Sequence, residues 1–389
     1  MRLPAFKNFL LILASFMAGL VVMEVALRVF DIAYPEFHRL DDHRGWAPRA
    51  GVEGWWTKEG KAYIRINAAG FRGRDHETAK PDGVFRLAVL GDSFTEARAL
   101  PLAETFWSVA GRNLGACPAL DGARVEVLNF GVSGYGTAQQ LITLRDHVLA
   151  YAPDLVLLAF YSGNDVWNNS RALDGHADRP YYRLDGETLV LDDSFRRSAR
   201  FQAKMAWQDI KHGLVNASHV LQLVKAGYYA AKAVWRGAGS AAAPETFMPA
   251  PSDAVYRPPA DDAWRDAWAI TEALIGTMRD NAATAGAALW IASLSNSMQV
   301  HPDRAVRRDF AAALGIESLS HADDRLAAFA QAQGIPVITL APTLRAYAEA
   351  NNTTLHGFPG GTPGYGHWNQ TGHAQAGALI AEAICTGLP

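Results

Sequence analysis

A run of apolar, strand-forming residues in this 389-residue chain ends abruptly in small and polar ones. RLAVLGDSFTE, residues 86–96, passes from residues 87–90 directly into Gly91, Asp92 and Ser93. A serine just beyond the carboxyl end of a buried strand faces solvent, where its hydroxyl can act as a nucleophile in acyl transfer. The alternative is a helix cap, because Asp and Ser are preferred N-cap residues. The tripeptide alone does not separate the two.

Three later stretches contain the other residue types that acyl transfer requires. Gly134 lies in NFGVSGYGTAQQ (129–140), Asn164 in YSGNDV (161–166) and His367 in GHWNQTGH (366–373). The reaction needs a base that takes the proton of the nucleophile, and preorganised donors for the oxyanion of the intermediate. An imidazole, a side-chain amide and a glycine whose backbone approaches the substrate closely meet those needs.

These four blocks, in this order, closely resemble those of the SGNH, or GDSL-type, hydrolases. The resemblance extends over residues 66–165 and 355–386. It includes INAAGFRG at 66–73, which is similar to the approach segment of bacterial membrane-anchored members.

The resemblance implies a role for each site residue. Ser93 is the nucleophile, and the oxyanion hole consists of the backbone N–H of Ser93, the backbone N–H of Gly134 and the side-chain amide of Asn164. The family pattern places the base before x-Asn, which fits His367. His373 is the alternative base, and otherwise it packs at the start of the last helix.

The sequence departs from the family at the third catalytic position. The usual Asp stands three residues before the histidine, and here that position is Gly364. No carboxylate occurs from Asn351 to Asn369. We therefore expect a Ser93/His367 dyad with weak or specialised activity, in which a backbone carbonyl, water or an acid from elsewhere orients the imidazole. Asp165 is one such acid.

The elements that must position these residues follow an α/β pattern. Continuous apolar runs separated by helices indicate a parallel sheet covered on both faces. Strands are predicted at 85–90, 125–130, 154–161, 287–293 and 335–340, and helices at 104–114, 137–150, 321–332 and 370–385. We predict a three-layer α/β/α, flavodoxin-like SGNH hydrolase fold with a parallel five-stranded sheet, an N-terminal transmembrane helix and a helical insertion.

The domain organisation follows from breaks in this rhythm. Residues 36–84 form a loop-rich approach segment, and residues 85–389 form the hydrolase domain. An insertion at 166–260 contains a hairpin that turns at Asp185-Gly186, followed by helix over 196–235 in one or two segments. The insertion is either a lid over the substrate or helical packing on the sheet.

Residues 1–35 are predicted to be a membrane anchor. Arg2 and Lys7 precede an apolar run over 9–30, which is interrupted only by Glu24 and Arg28. These two side chains can pair across one helical turn, and the run is long enough to cross a bilayer. The basic residues before the run favour a cytoplasmic N-terminus, with the catalytic domain facing the periplasm or cell exterior. An N-terminal signal peptide is the alternative.

Composition limits the partners and cofactors. A net charge of −3 gives no basic footprint for nucleic acid. No residue spacing fits a metal or an organic cofactor, so none is expected. Cys117 trails the first helix of the predicted fold and Cys385 ends the last. Because these helices cover the same face in flavodoxin-like topology, the two cysteines are expected near each other.

Two classes of function remain open. The first is a membrane-tethered serine esterase that removes short, acetyl-like groups from an acylated small molecule or a cell-surface polysaccharide, or an acyltransferase with the same site. The second is a catalytically weak carbohydrate-binding subunit of a polysaccharide assembly. Aromatic residues near the site are candidates for stacking on sugar rings or for packing: Phe94, Tyr135, Tyr161, Trp167 and Trp368. The oligomeric state stays open.

Overall fold

A five-stranded parallel sheet forms the centre of the protein in the computed structural model, which describes residues 3–233, 250–359 and 361–388. Numbered along the whole chain, the strands are β1 (His38–Asp41), β2 (Gly45–Pro48), β3 (Glu53–Trp56), β4 (Ala62–Arg65), β5 (Val84–Leu90), β6 (Arg124–Asn129), β7 (Leu155–Phe160), β8 (Tyr181–Asp185), β9 (Thr188–Asp192), β10 (Ala288–Ser293) and β11 (Val337–Thr339). The central sheet has the order β11-β10-β7-β5-β6, which is the flavodoxin-like order and confirms the predicted fold class.

Helices cover both faces of this sheet. Numbered along the described residues, the helices of the protein are α1 (Leu3–Val29), α2 (Ser93–Glu96), α3 (Phe106–Leu114), α4 (Thr137–Thr143), α5 (Ser162–Asp165), α6 (Arg171–Asp174), α7 (Ala199–Ala217), α8 (His219–Ala233), α9 (Asp262–Thr284), α10 (Arg304–Leu314), α11 (His321–Ala332), α12 (Ala341–Asn351) and α13 (Gln370–Gly387). The helix predicted at 137–150 continues after α4 as π-helical and 3₁₀ turns.

The alternation of side chains along β5 explains the two cores. Leu87 and Val89 point to one face, where they pack with α3, α12 and α13, whereas Ala88 and Leu90 point to the other, with α4, α9 and α11. All four side chains are fully buried. A strand buried on both faces has no polar alternation, which is why its sequence is a continuous apolar run.

The helices α3 and α13 lie side by side on one face, and a disulfide joins the segments at their ends. Cys117 and Cys385 are bonded, with their Cα atoms 5.6 Å apart. This is the proximity expected from the order of the strands.

The segment at 36–84 contains two antiparallel hairpins between its loops, which the sequence did not predict. The strand β1 pairs with β2, and β3 pairs with β4. Each strand has four residues, too few for a period-two pattern to be recognised in the sequence.

The insertion contains, after α6, a β8–β9 hairpin that turns at Asp185 and Gly186, as predicted. The helices α7 and α8 follow and are separated at Ser218. Residues 234–249 of the insertion lie outside the described residues.

One helix among the described residues is long and apolar enough to cross a membrane. The candidate span is Phe6–Val29, which has a mean hydropathy of 2.4 and is almost entirely exposed. Glu24 and Arg28 form the expected ion pair near its end, at 2.7 Å.

Candidate active site

The first element of the site is the turn that ends β5. The side chain of Asp92 caps α2 by accepting the N–H of Phe94 at 2.9 Å, and Ser93 is the first residue of that helix. The helix-cap alternative therefore describes Asp92, whereas Ser93 is only partly buried. Its hydroxyl lies at the carboxyl edge of the sheet, where ligands bind in open α/β folds.

His367 lies in the loop between α12 and α13 and reaches this serine. Its Nε2 is 2.7 Å from the Oγ of Ser93. Two hydrogen bonds hold this loop in place. The carbonyl of His367 accepts the N–H of Gly357 at 2.9 Å, and the indole of the buried Trp368 donates to the Oγ of Ser295. His373 is turned away from the site: its Nδ1 accepts the N–H of Phe106 at 3.1 Å.

Glu59 completes the arrangement and was not foreseen from the sequence. Its Oε2 lies 2.5 Å from the Nδ1 of His367, and its Oε1 accepts the backbone N–H of the same residue at 3.1 Å. The expected dyad is therefore corrected to a chain of three groups, with an acid that lies 308 residues before the histidine. Asp165 is not the orienter, because its carboxylate accepts from Gln140 and from the N–H of Tyr161.

The hairpin β3–β4 explains how Glu59 reaches the site. Glu59 and Gly60 lie in the turn between the strands, and Gly60 has a φ of +64°. A Cβ on Gly60 would lie 2.3 Å from the carbonyl oxygen of Ala99. The turn is thus seated directly against the segment that follows α2.

Glu59 and His367 shift each other's pKa. Burial lowers the pKa of His367, but the hydrogen bond and charge of Glu59 outweigh it, and the net pKa lies above the ordinary value. Burial likewise opposes ionisation of Glu59, yet the hydrogen bond and charge of His367 lower the pKa of that carboxyl. A neutral imidazole with an ionised carboxylate on Nδ1 leaves Nε2 free to accept a proton.

Asn164 and Gly134 occupy the neighbouring positions along the rim. Asn164, in α5, is buried and donates one amide N–H to the Oδ2 of Asp92 at 2.7 Å. Gly134 has a φ of +80°, which favours glycine, and follows Ser133, whose N–H donates to Glu96 at 2.7 Å. Since Glu96 belongs to α2, the Gly134 loop is fastened to the helix that carries Ser93. Within the part of the chain described, no hydrogen bond uses the N–H of Gly134.

Glu96 is a buried charge that ties several segments to α2. Its carboxylate accepts from Ser133, contacts His38 Nε2 at 2.9 Å and pairs with Arg98 at 3.4 Å. Burial alone would raise the pKa of Glu96, but the charges of Arg98 and His38 lower it far below the ordinary value.

The INAAGFRG block contacts the chain at the C-terminal end of α2. Asn67 accepts the N–H of Phe71 at 2.9 Å and so closes the turn that precedes Arg72. The fully buried guanidinium of Arg72 donates to the carbonyls of Glu96, Ala97 and Leu100. Arg72 therefore holds the chain immediately after α2, a role that the motif did not reveal in the sequence.

Most of the aromatic residues considered for sugar stacking are core residues. Phe94, Tyr135, Tyr161 and Trp368 are buried, and only Trp167 is partly exposed. Two half-buried tryptophans lie near the rim instead. The indole of Trp46 donates to the carbonyl of Ser133 at 2.9 Å, and the guanidinium of Arg98 lies 3.9 Å from the centre of the Trp56 ring.

The site contains an acyl-transfer arrangement and no metal centre in the residues described. Within 3–233, 250–359 and 361–388, no group of three or more His, Cys, Asp or Glu side chains is placed to hold a metal ion. The hydroxyl, imidazole and carboxylate form a continuous hydrogen-bonded chain, which is the geometry that lets an imidazole take the proton of an attacking hydroxyl.

Comparisons with known proteins give structural relatives only. No model of a known protein family matches the chain, and no curated protein matches it. Similar solved structures include an acetyl xylan esterase (13% identity, 78% of this chain and all of that one, TM-score 0.39). A second is a lipase/acylhydrolase from Enterococcus faecalis (15% identity, 78% of this chain and 96% of that one, TM-score 0.36). A third is an acetyl-xylooligosaccharide esterase variant from Geobacillus (11% identity, 78% of this chain and 94% of that one, TM-score 0.37).

The chain's own topology carries the assignment of its fold. In chain order, Ser93 follows β5, Gly134 follows β6, Asn164 follows β7, and His367 precedes the last helix. All four blocks belong to one flavodoxin-like sheet with helices on both faces. The protein therefore has the SGNH-type hydrolase fold.

Proposed function

We propose that this protein is a membrane-tethered serine esterase that removes short acyl groups, acetyl in the first place, from a cell-surface or extracellular carbohydrate. The observation that carries the proposal is the chain Ser93 Oγ, His367 Nε2, His367 Nδ1 and Glu59 Oε2, with contacts of 2.7 and 2.5 Å. The reason to consider a non-catalytic subunit was the missing acid, and Glu59 removes that reason.

The geometry supports a two-step reaction. Ser93 Oγ attacks the ester carbonyl while its proton passes to His367 Nε2. The N–H groups of Ser93 and Gly134 and the amide of Asn164 stabilise the oxyanion. The C–O bond to the leaving alcohol then breaks, and that oxygen takes the proton from Nε2. Water, which gives a proton to His367 Nε2, then attacks the acyl carbon. The bond from that carbon to Ser93 Oγ breaks, Oγ takes the proton back from Nε2, and the carboxylic acid is released.

A short acyl group is supported by the packing around the nucleophile. The ring centroid of Phe94 lies 4.5 Å from that of Tyr161 and 5.2 Å from that of Trp368, and all three side chains are buried. The core side of the turn that carries Ser93 is therefore occupied by packed rings, which is the reason for proposing a short acyl group. Transfer of the acyl group to a sugar hydroxyl uses the same acyl-serine, with the sugar in the place of water.

The cellular location is supported by two features. Arg2 precedes the candidate span and Lys7 lies in its first turn, a pattern that favours a cytoplasmic N-terminus. The disulfide Cys117–Cys385 fits an oxidising compartment such as the periplasm or the cell exterior.

The test is labelling of the detergent-solubilised full chain with a fluorophosphonate probe. We expect labelling that is lost in Ser93→Ala and retained in Ser318→Ala, a control at an exposed serine. Acetate release from aryl acetates and acetylated xylooligosaccharides should follow the same pattern, with butyryl and octanoyl esters cleaved progressively more slowly. A folded wild-type protein that neither labels nor releases acetate would refute the esterase.

A further inference from the structure

The helix α7 carries an apolar stripe on its outward side. Seven exposed apolar or small residues recur along it with helical spacing, so that they form one stripe on its surface. They are Ala203, Ala206, Trp207, Ile210, Gly213, Leu214 and Ala217, and the exposed Arg200, Gln202 and Asp209 lie at the margins of this stripe. Trp207 and Leu214 are each 61% exposed.

A second stripe of the same kind runs along α8. Leu221, Val224 and Tyr228 are spaced by three and four residues, and Val224 and Tyr228 are 62% and 60% exposed. Single exposed apolar residues are common on soluble proteins, but contiguous apolar faces on adjoining helices mark a surface that contacts something. We call the two stripes together the hairpin face.

The opposite sides of both helices are polar and are occupied. Gln208 of α7 accepts the N–H of Leu40 at 2.7 Å, and His212 contacts Glu36 at 2.6 Å. On α8, Gln222 accepts the N–H of Tyr34 at 2.7 Å. These contacts with residues 34–40 fix the rotation of the two helices, so the hairpin face is directed away from the protein body.

The turn between the two helices is fastened to the N-terminal helix. Glu24 accepts the N–H groups of His219 and Val220 at 3.1 and 3.0 Å, which satisfies the first turn of α8. Arg28 donates to the carbonyl of Ala217, at the end of α7. One ion pair on α1 therefore caps both helices, and it lies where the apolar span ends.

We propose that the hairpin face lies on the phospholipid bilayer that α1 crosses, so that α7 and α8 form an interfacial platform beside the anchor. This inference rests on the membrane tether of the proposed function. A helix with an apolar face carrying Trp and Tyr and a polar face turned to the protein is typical of a segment that lies in the membrane interface. The continuity of the face with α1 favours lipid over a protein partner.

The test uses the full chain in liposomes of phosphatidylethanolamine and phosphatidylglycerol. The two native cysteines are disulfide-bonded, so single cysteines introduced by Ile210→Cys, Leu214→Cys or Val224→Cys can carry a nitrobenzoxadiazole probe. Ala18→Cys on the anchor and Thr188→Cys at the exposed start of β9 are the controls. We expect lipids with a doxyl quencher to reduce emission at 210, 214 and 224 by at least about twofold, as at 18, but not at 188.

The outcomes separate the platform from the tether. Quenching at 18 without quenching at 210, 214 and 224 would overturn the platform and leave the tether. Blue-shifted but unquenched probes together with cross-linking between two copies at 214 would place a second copy on the face and overturn the lipid contact. Quenching at the three hairpin positions without quenching at 18 would refute the tether and, with it, a platform beside the anchor.

Discussion

Glu59 holds His367 in this protein, in which the Asp expected three residues before the histidine is replaced by Gly364. It contacts both the Nδ1 and the backbone N–H of His367. The two contacts fix the tautomer and the rotation of the imidazole, which is the part that an orienting carboxylate plays in a triad.

Replacing this acid should change both the rate and its pH dependence. Glu59→Gln keeps the size but removes the charge, so we expect kcat to fall by about a thousandfold or more. The activity requires neutral His367, so it is lost as pH falls through the pKa of this residue. Since Glu59 raises that pKa, the acid limb of the kcat/KM profile on an aryl acetate should move to lower pH in the variant.

Glu53→Gln is the matched control, because Glu53 is exposed on β3 of the same hairpin. It should leave both the rate and the acid limb unchanged. An unshifted acid limb in Glu59→Gln would contradict the role of Glu59 as the partner of His367.

Asn164 has two tasks that a kinetic measurement separates. Its amide donates to Asp92 and is proposed to donate to the oxyanion. Asn164→Ala should reduce kcat by about a hundredfold or more, with a smaller effect on KM, because the second donation strengthens only in the transition state. A loss confined to KM would argue against the oxyanion role, and a thermal unfolding scan checks that the variant is folded.

At the scale of elements, the hairpin β3–β4 is the unit that delivers the acid. Its turn is in close contact with Ala99 and with the ring of Phe358. Because the turn fits tightly at Gly60, the position of Glu59 depends on the absence of a side chain at that residue.

Gly60→Ala should therefore disturb catalysis more than stability. The new Cβ would meet the carbonyl of Ala99, and a displacement of the acid by about 1 Å can cost about a hundredfold in kcat/KM. Gly51→Ala is the matched control, since Gly51 also has a positive φ but open space around it. Both variants bear a strain of about 1 kcal/mol, so equal activities would show that the hairpin turn does not set the catalytic geometry.

The elements also show what sequence can and cannot reveal. The central strands were predictable because residues such as 87–90 and 155–160 are apolar without interruption. The positions of Ser93 and His367 followed from local blocks. The position of Glu59 did not, because it depends on a long-range contact made by a hairpin of four-residue strands, and no spacing along the chain encodes it.

Whole-molecule stability should decrease in acid because two histidines are buried without charge. Burial lowers the pKa of His356 to about 4 and that of His373 to about 3, compared with 6.5 when unfolded. The unfolded chain therefore binds more protons below pH 6.5, and the free energy of unfolding falls as pH falls from there towards 4 and 3.

The contribution of His373 can be measured with a matched substitution. His373→Asn retains an acceptor for the N–H of Phe106 but does not titrate. We expect the wild-type Tm, followed by tryptophan fluorescence between pH 7.5 and 4.5, to fall more steeply than that of the variant. Between pH 7.5 and 4.5, the free energy of unfolding of the wild type should fall by about 3 kcal/mol more than that of the variant. Parallel curves would contradict a neutral, buried His373.

The bond between Cys117 and Cys385 has a consequence for cleaved forms of the protein. It spans 268 residues of sequence, including the whole insertion. A protease cut in the insertion would leave Glu59 and Ser93 on one fragment and His367 on the other. The two fragments would remain a single covalent molecule that separates only on reduction, so every group of the hydrogen-bonded chain would stay within reach of its neighbours after the backbone had been severed.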